Sequence, residues 1–156
     1  QAVATSRRWG SDNYRDLAIQ LMKKYGGHII LLGSPAETNA GAEIAGGDSK
    51  ILNLCGKTDI GIAAAVLSRC RLFIGNDSGL AHLAAATVIP LVVLSGADKP
   101  SETSPLSDKK TVIIKDNLDC ISCVKNHCPE KGDRFMRCMK EISVPEVLSA
   151  AQTYLG

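Results

Sequence analysis

No basic stripe interleaved with aromatics runs through this chain, and its charge is nearly balanced. Eighteen Lys and Arg stand against 16 Asp and Glu, for a formal net charge of +2. That excludes the electrostatic footprint of a nucleic-acid binder. No apolar run approaches the roughly 20 residues that a bilayer-crossing helix needs, which excludes insertion of a helix but not attachment to a membrane surface. No signal-peptide pattern opens the chain. Neither G-x-G-x-x-G nor G-x-x-x-x-G-K-[ST] occurs, so the standard dinucleotide fingerprint and the P-loop are both absent. There is no internal repeat and no low-complexity tract. An initiator Met is also missing, and the opening QAVATSRRWG leads into a Trp-anchored helix without a clear strand before it. The expectation is a piece of a longer protein.

What remains is an ordinary globular composition, 45% hydrophobic and 22% charged, in 156 residues, enough for one domain with a substantial core. A helix is expected from about Asp12 to Tyr25: Leu17, Leu21 and Met22 make an apolar stripe, Ser11 or Asp12 can cap it, and Gly26-Gly27 ends it. His28 to Leu32 is a continuous apolar run, the pattern of a strand covered on both faces. Further helices are expected over Ala36–Ala45, Asp59–Ser68, Ser78–Val88 and Pro145–Leu155, the last capped by Ser143 with Glu146 in its first turn. Strands are expected at Ile51–Leu54, at 71–75, at Leu91–Leu94 and at Thr111–Ile114, and Ser95 to Lys110 reads as a long polar loop. Strands alternating with helices imply an α/β fold, a parallel sheet with helices on both faces.

The stretch RLFIGNDSGLAHLAAATVIP, residues 71–90, is the most informative. An apolar strand meets the turn Gly75-Asn76-Asp77-Ser78-Gly79, and a helix starts there. Free amides at a helix start carry the positive end of its dipole and suit a diphosphate. His82 falls on the same side as Ser78 by i, i+4 spacing. Two readings of this turn stay open: a nucleotide or nucleotide-sugar site, or an Asp or Ser that merely caps the helix. In an open α/β sheet, loops at the carboxyl ends of strands line the ligand crevice. The loops at 33–37, 55–58, 75–79 and 95–104 should converge on that edge.

Cys120, Cys123, Cys128 and Cys138 follow C-x2-C-x4-C-x9-C, with His127 beside the third. Three states fit: a structural zinc knuckle, one or two disulfides, or reduced thiols. Cys55 and Cys70 stand alone in apolar contexts and read as small core residues.

Taken in order, these motifs resemble the C-terminal half of the ADP-heptose:lipopolysaccharide heptosyltransferases, the glycosyltransferase family 9 enzymes with a GT-B fold. The matching pieces are Arg7-Arg8-Trp9, similar to the family's Lys-x-Trp-Pro; Leu31 to Glu37; Asn53 to Thr58; Gly75 to Ala86; and the cysteine run from Leu118 to Met139. Gly10 replaces the usual proline, and Ser95-Gly96-Ala97-Asp98-Lys99-Pro100 departs from Phe-Gly-Pro-Thr-x-Pro. The resemblance implies a Rossmann-like domain, residues 1–156, that binds the nucleotide-sugar donor, with the acceptor domain outside this chain. Asp77, Ser78, Gly79 and His82 would contact the diphosphate and heptose. Glu37 would lie near ribose or sugar hydroxyls and Thr58 near the adenine, and Arg7 would stand where the family places a lysine by the phosphates. ADP-heptose is then the donor substrate with no cofactor required, structural zinc remaining open. The lipopolysaccharide core is the acceptor, reached through the other domain. The setting is cytoplasmic, with at most peripheral contact on the inner membrane of a Gram-negative bacterium. The catalytic base of an inverting transfer would also lie outside this chain, which alone is expected to bind donor or ADP and transfer nothing. Another GT-B nucleotide-sugar enzyme, such as an epimerase, and a non-catalytic nucleotide- or metal-binding module are the alternatives.

Overall fold

Pro90 ushers in the most buried strand of the protein. In the computed structural model, which describes residues 4–156, β4 (Leu91–Leu94) has no residue more than 1% exposed. Successive side chains of a strand point to opposite faces, so four apolar residues in a row need cover on both. Val92 and Leu94 enter a core with Trp9, Leu17, Met139, Ile142 and Val147. Leu91 and Val93 enter a smaller core with Leu67, Ala81, Ala84 and Ile89. β4 lies between β3 (Phe73–Asn76) and β5 (Lys110–Ile113), parallel to both. A second sheet pairs β1 (Ile29–Leu31) with β2 (Ile51–Asn53), also parallel.

Helices α1 (Ser11–Tyr25), α2 (Thr38–Ala45), α3 (Ile60–Leu67), α4 (Gly79–Ala86) and α7 (Val144–Leu155) cover the sheets. Their ends follow local chemistry. Ser143 and Glu146 form a reciprocal capping box with Pro145 in the first turn of α7, as the sequence predicts. Asp59 caps α3, its carboxylate accepting from the Ile62 N–H at 2.7 Å. Among the described residues no helix is long and apolar enough to cross a membrane.

Several expectations change. Neither Ser11 nor Asp12 caps α1: the N-cap is Gly10, at φ 102°, a conformation a side chain would strain. Residues Pro35–Glu37 form a 3-10 turn ahead of α2, closed by Ser34 and Glu37 bonding each other's backbone. Helix α4 stops at Ala86, because Val88 sits at φ 63°, outside any right-handed helix. β1 is not covered on both faces, since Ile30 is 38% exposed. The segment after β4 is no simple polar loop. Ser95, Ala97 and Asp98 are buried, and Pro100–Thr103 forms a short helix, α5. Another short helix, α6 (Arg137–Lys140), precedes α7.

Candidate functional site

Strand β3 delivers Asn76 and Asp77 to its carboxyl end, and both are buried. The Asp77 N–H is held by the Leu94 carbonyl at 3.1 Å, extending the β3–β4 ladder by one residue. The Asp77 carboxylate then turns to α5, where Oδ2 accepts a bond from Thr103 Oγ1 at 2.8 Å. Ser78, in extended conformation, is the N-cap residue of α4, yet its hydroxyl makes no capping bond. Its carbonyl accepts from the N–H groups of Ala81 and His82. Neither side chain that could cap α4 does so, whereas the caps of α3 and α7 are satisfied. The Gly79 and Leu80 amides, at the positive end of the α4 dipole, are thus left without a side-chain cap. Space is left beside them: a Cβ built on Gly79 meets nothing within 4 Å.

Facing this turn is Arg7, at the end of a 3-10 turn formed by Thr5–Arg7. Its Nε donates to both carboxylate oxygens of Asp98, at 2.8 and 2.6 Å, and Nη1 donates to Asn126 Oδ1 at 3.0 Å. The bonded Asp98 carboxylate raises the guanidinium's pKa. A guanidinium has five N–H donors, and these bonds fix its plane while leaving others for a ligand. Burial pushes the Asp77 pKa up, with Asp98 acting in the same sense, while the Thr103 bond, His82 and Arg7 pull it down. Arg7, Asp77, His82 and Asp98 therefore share one electrostatic neighbourhood. His82 is on the exposed side of α4.

Arg7 is held from behind by the cysteine segment. Ser6 N–H donates to Asn126 O at 3.2 Å, its hydroxyl donates to Lys125 O, and Thr5 Oγ1 meets His127 Nδ1 at 2.9 Å. Ser122 and Val124 donate their N–H groups to the carbonyls of Gly96 and Ala97, at 2.9 and 2.7 Å, next to Asp98. The backbone packs closely at Gly96, where a Cβ would lie 2.7 Å from Met139 Sδ and 2.9 Å from Cys138 Sγ and would make those side chains move. All six cysteines are free thiols. Cys120, Cys123, Cys128 and Cys138 line one cavity of about 290 Å³. Burial, with Cys120, Cys128 and Cys123 nearby, pushes the Cys138 thiol up to about 11. Among the described residues no three His, Cys, Asp or Glu side chains are gathered closely enough to hold a metal ion. The cysteine segment packs as a brace behind the Arg7–Asp98 pair.

The remaining candidates lie further along the same edge. Glu37 is buried, and its Oε2 accepts from the Ser34 N–H at 2.8 Å and the Ser34 hydroxyl at 2.9 Å. It lines a cavity with Ser78, Asn76 and Tyr14. Thr58 lies on the loop between β2 and α3, and among the described residues it shares no bond with the other candidates. Three residues were missed from the sequence. Asp98 and Thr103 orient Arg7 and Asp77. Tyr14 donates from its hydroxyl to Asn76 Oδ1 at 2.8 Å, tying α1 to the turn. Pro100, which fits the first turn of a helix, was the available signal that Thr103 would face back toward the site.

Filling the space in front of α4 should separate binding from folding. Gly79→Leu is expected to leave the melting temperature within about 2 °C, as for a surface change without a named defect. Calorimetric affinity for a nucleoside diphosphate should fall at least about tenfold, a loss of ~1.4 kcal/mol.

A family model described as glycosyltransferase family 9 (heptosyltransferase) matches residues 1–133. Lipooligosaccharide heptosyltransferase 2 of Campylobacter jejuni is 29% identical, over 99% of this chain and 48% of its own length. The solved structure of E. coli ADP-heptose LPS heptosyltransferase II is 31% identical and superposes with a TM-score of 0.80, over 96% of this chain and 42% of that one. The E. coli heptosyltransferase WaaC with ADP, at 20% identity, shares the fold, with a TM-score of 0.75 over 99% of this chain and 42% of that one. The chain thus spans about half the length of these relatives. Its family match covers most of the chain, including the β3–α4 turn and the segment that holds Arg7, and the chain belongs to glycosyltransferase family 9.

Proposed function

We propose that this chain is the donor-binding half of an inverting glycosyltransferase that transfers heptose from ADP-heptose to the lipopolysaccharide inner core. One observation carries the reading: the amides that open α4 are uncapped by Asp77 or Ser78 and face open space beside an arginine of fixed orientation. Breaking a glycosyl–phosphate bond builds negative charge on the departing diphosphate. Donors already aimed at that charge stabilise it without reorganising. In this reading the α4 amides and the free N–H groups of Arg7 receive the diphosphate, and His82 adds a donor when protonated. Asp77, kept back from phosphate by like charge, accepts from sugar hydroxyls. Glu37 and Thr58 serve the ribose and adenine side. The ADP bound in the WaaC structure supports a nucleoside diphosphate as ligand.

The acceptor hydroxyl must lose its proton to a base as the new bond forms. We assign that base to the acceptor domain, so the isolated chain binds and does not transfer. Calorimetric titration of the full-length enzyme with ADP, UDP and GDP tests the donor assignment. ADP is expected to bind at least about tenfold more tightly than either, a ~1.4 kcal/mol preference. Tighter UDP or GDP binding would reassign the donor, and no binding of any of the three would remove the site.

A further inference from the structure

The loop between two of the clustered cysteines carries the mount of Arg7. Residues 124–127 lie between Cys123 and Cys128 and are all exposed. Within them Lys125 O accepts from the Ser6 hydroxyl, and Asn126 O accepts from the Ser6 N–H at 3.2 Å. Asn126 Oδ1 accepts from Arg7 Nη1 at 3.0 Å, and His127 Nδ1 meets Thr5 Oγ1 at 2.9 Å. Ser6 itself lines the cavity that the four thiols share. A shift in how the two sulfurs sit is therefore felt by the turn that aims the arginine.

The backbone on either side of Cys123 is held in place. Among the described residues four non-glycines have positive φ, and three are here: Ser122 at 54°, Val124 at 55° and Met136 at 55°. A β-branched residue such as Val124 keeps that conformation only when its surroundings impose it. They do so through the Ser122 and Val124 N–H groups, bonded to the carbonyls of Gly96 and Ala97.

The four thiols are not equivalent. Cys138 is 9% exposed and pushed up to about 11, so little of it is thiolate near neutral pH. Cys120, Cys123 and Cys128 are half-buried. Cys123 is close enough to Arg7 for their charges to interact. Cys128 Sγ accepts from the Met136 N–H at 3.3 Å, which fixes the direction of that sulfur. These two bracket the exposed loop, and closing so short a loop costs little chain entropy.

We propose that Cys123 and Cys128 form a thiol modification site, a pair that exchanges with small-molecule disulfides and, once joined, turns Arg7 away from the donor diphosphate. The Cys123 thiolate attacks one sulfur of the small disulfide, giving a mixed disulfide and releasing one small thiolate. The Cys128 thiolate then attacks the Cys123 sulfur and expels the second. Two protein thiols are oxidised to one disulfide, and the small disulfide is reduced to two thiols that take up the two protons the cysteines lose. Joining the sulfurs draws Cys128 away from the Met136 amide and tightens the loop, so Asn126 leaves Arg7 Nη1. The linkage does not depend on what α4 receives; its effect on turnover rests on the function proposed for Arg7.

The full-length enzyme, equilibrated in buffers of reduced and oxidised glutathione, provides the test. Non-reducing peptide mapping by mass spectrometry should find Cys123 joined to Cys128 as the buffer becomes more oxidising. In Cys128→Ser the glutathione adduct should stay on Cys123, and in Cys123→Ser no linkage to Cys128 should form. The Nε–H NMR signal of Arg7, which needs no substrate, should shift as the linkage forms. In the same samples kcat for heptose transfer should fall at least about tenfold, in the direction of losing one preorganised donor, and dithiothreitol should restore it. Thiols that stay unlinked, whether idle or occupied by a metal ion, would overturn the proposal. So would a Cys120–Cys123 linkage in place of the expected one, or a linked enzyme whose Arg7 signal stays put. A linkage that shifts Arg7 in an enzyme inactive on ADP-heptose even when reduced would uphold the modification site and overturn the transferase reading instead.

Discussion

In the full-length enzyme, Arg7→Ala is expected to lower kcat for heptose transfer by about 10²–10³, or ~2.7–4 kcal/mol of transition-state stabilisation, the loss that follows removal of one preorganised donor to a developing anion. Steady-state kinetics with ADP-heptose reads this directly. Because Arg7 is paired with Asp98, both side chains being at most 17% exposed, alanine also strands a carboxylate, and removing one partner of a buried ion pair costs about 3–5 kcal/mol of stability. Arg7→Lys separates the two effects. Lysine keeps a cation for Asp98 but loses the planar fork, so the melting temperature should recover while kcat recovers only in part. Full recovery of both would mean that charge alone matters at position 7. An unchanged kcat in Arg7→Ala would remove the arginine from the mechanism.

Asp77→Asn is expected to stabilise the protein and weaken the binding of sugar donor. Burial raises the folded-state pKa of Asp77 above its unfolded value. Folding therefore favours the protonated form. The contribution is fully present below the unfolded pKa and is lost as pH rises through the folded one. At neutral pH the ionised carboxylate is a liability, and asparagine, which can still accept from Thr103, removes it. The melting temperature should rise by about 2–4 °C at pH 7, the shift that ~1 kcal/mol gives a domain of this size. The gain should vanish below the ordinary carboxylate range, where aspartic acid is neutral in both states. Affinity for ADP-heptose should drop at least about tenfold, ~1.4 kcal/mol, while affinity for ADP holds or improves as a like charge is removed. Equal weakening of ADP and ADP-heptose would place Asp77 on the phosphates instead of the sugar.

What could be read from the residues was whatever depends on neighbours in sequence. Pro90 followed by four apolar residues fixes β4, and Ser143 with Pro145 and Glu146 fixes the start of α7, because each signal is complete within a few positions. The Asn76-to-His82 turn was likewise legible as a strand-to-helix junction. Its second reading, a simple cap, could only be decided in space, where the Asp77 side chain goes to Thr103 and Ser78 leaves its hydroxyl out of the cap. Asp98 stayed hidden because its meaning lies in Arg7, 91 positions away. Gly10 as the cap of α1 was also invisible, since adjacent Ser11 and Asp12 have better capping side chains and only the backbone angle decides. The exposure of Ile30 reflects an unpaired sheet edge, and no count of apolar residues in β1 signals that.

Apart from Asp98, 91 positions on, the anchors of the Thr5–Arg7 turn lie between 119 and 122 positions further along the chain. Synthesis adds about 5–20 residues per second, so a nascent arginine waits several seconds or more before the residues that aim it leave the ribosome. Pairings of such long separation are also among the slowest to form once the chain is free. Translation products that stop short of Lys125 would carry Arg7 and the amides of α4 together, with the turn that presents the arginine not yet tied down.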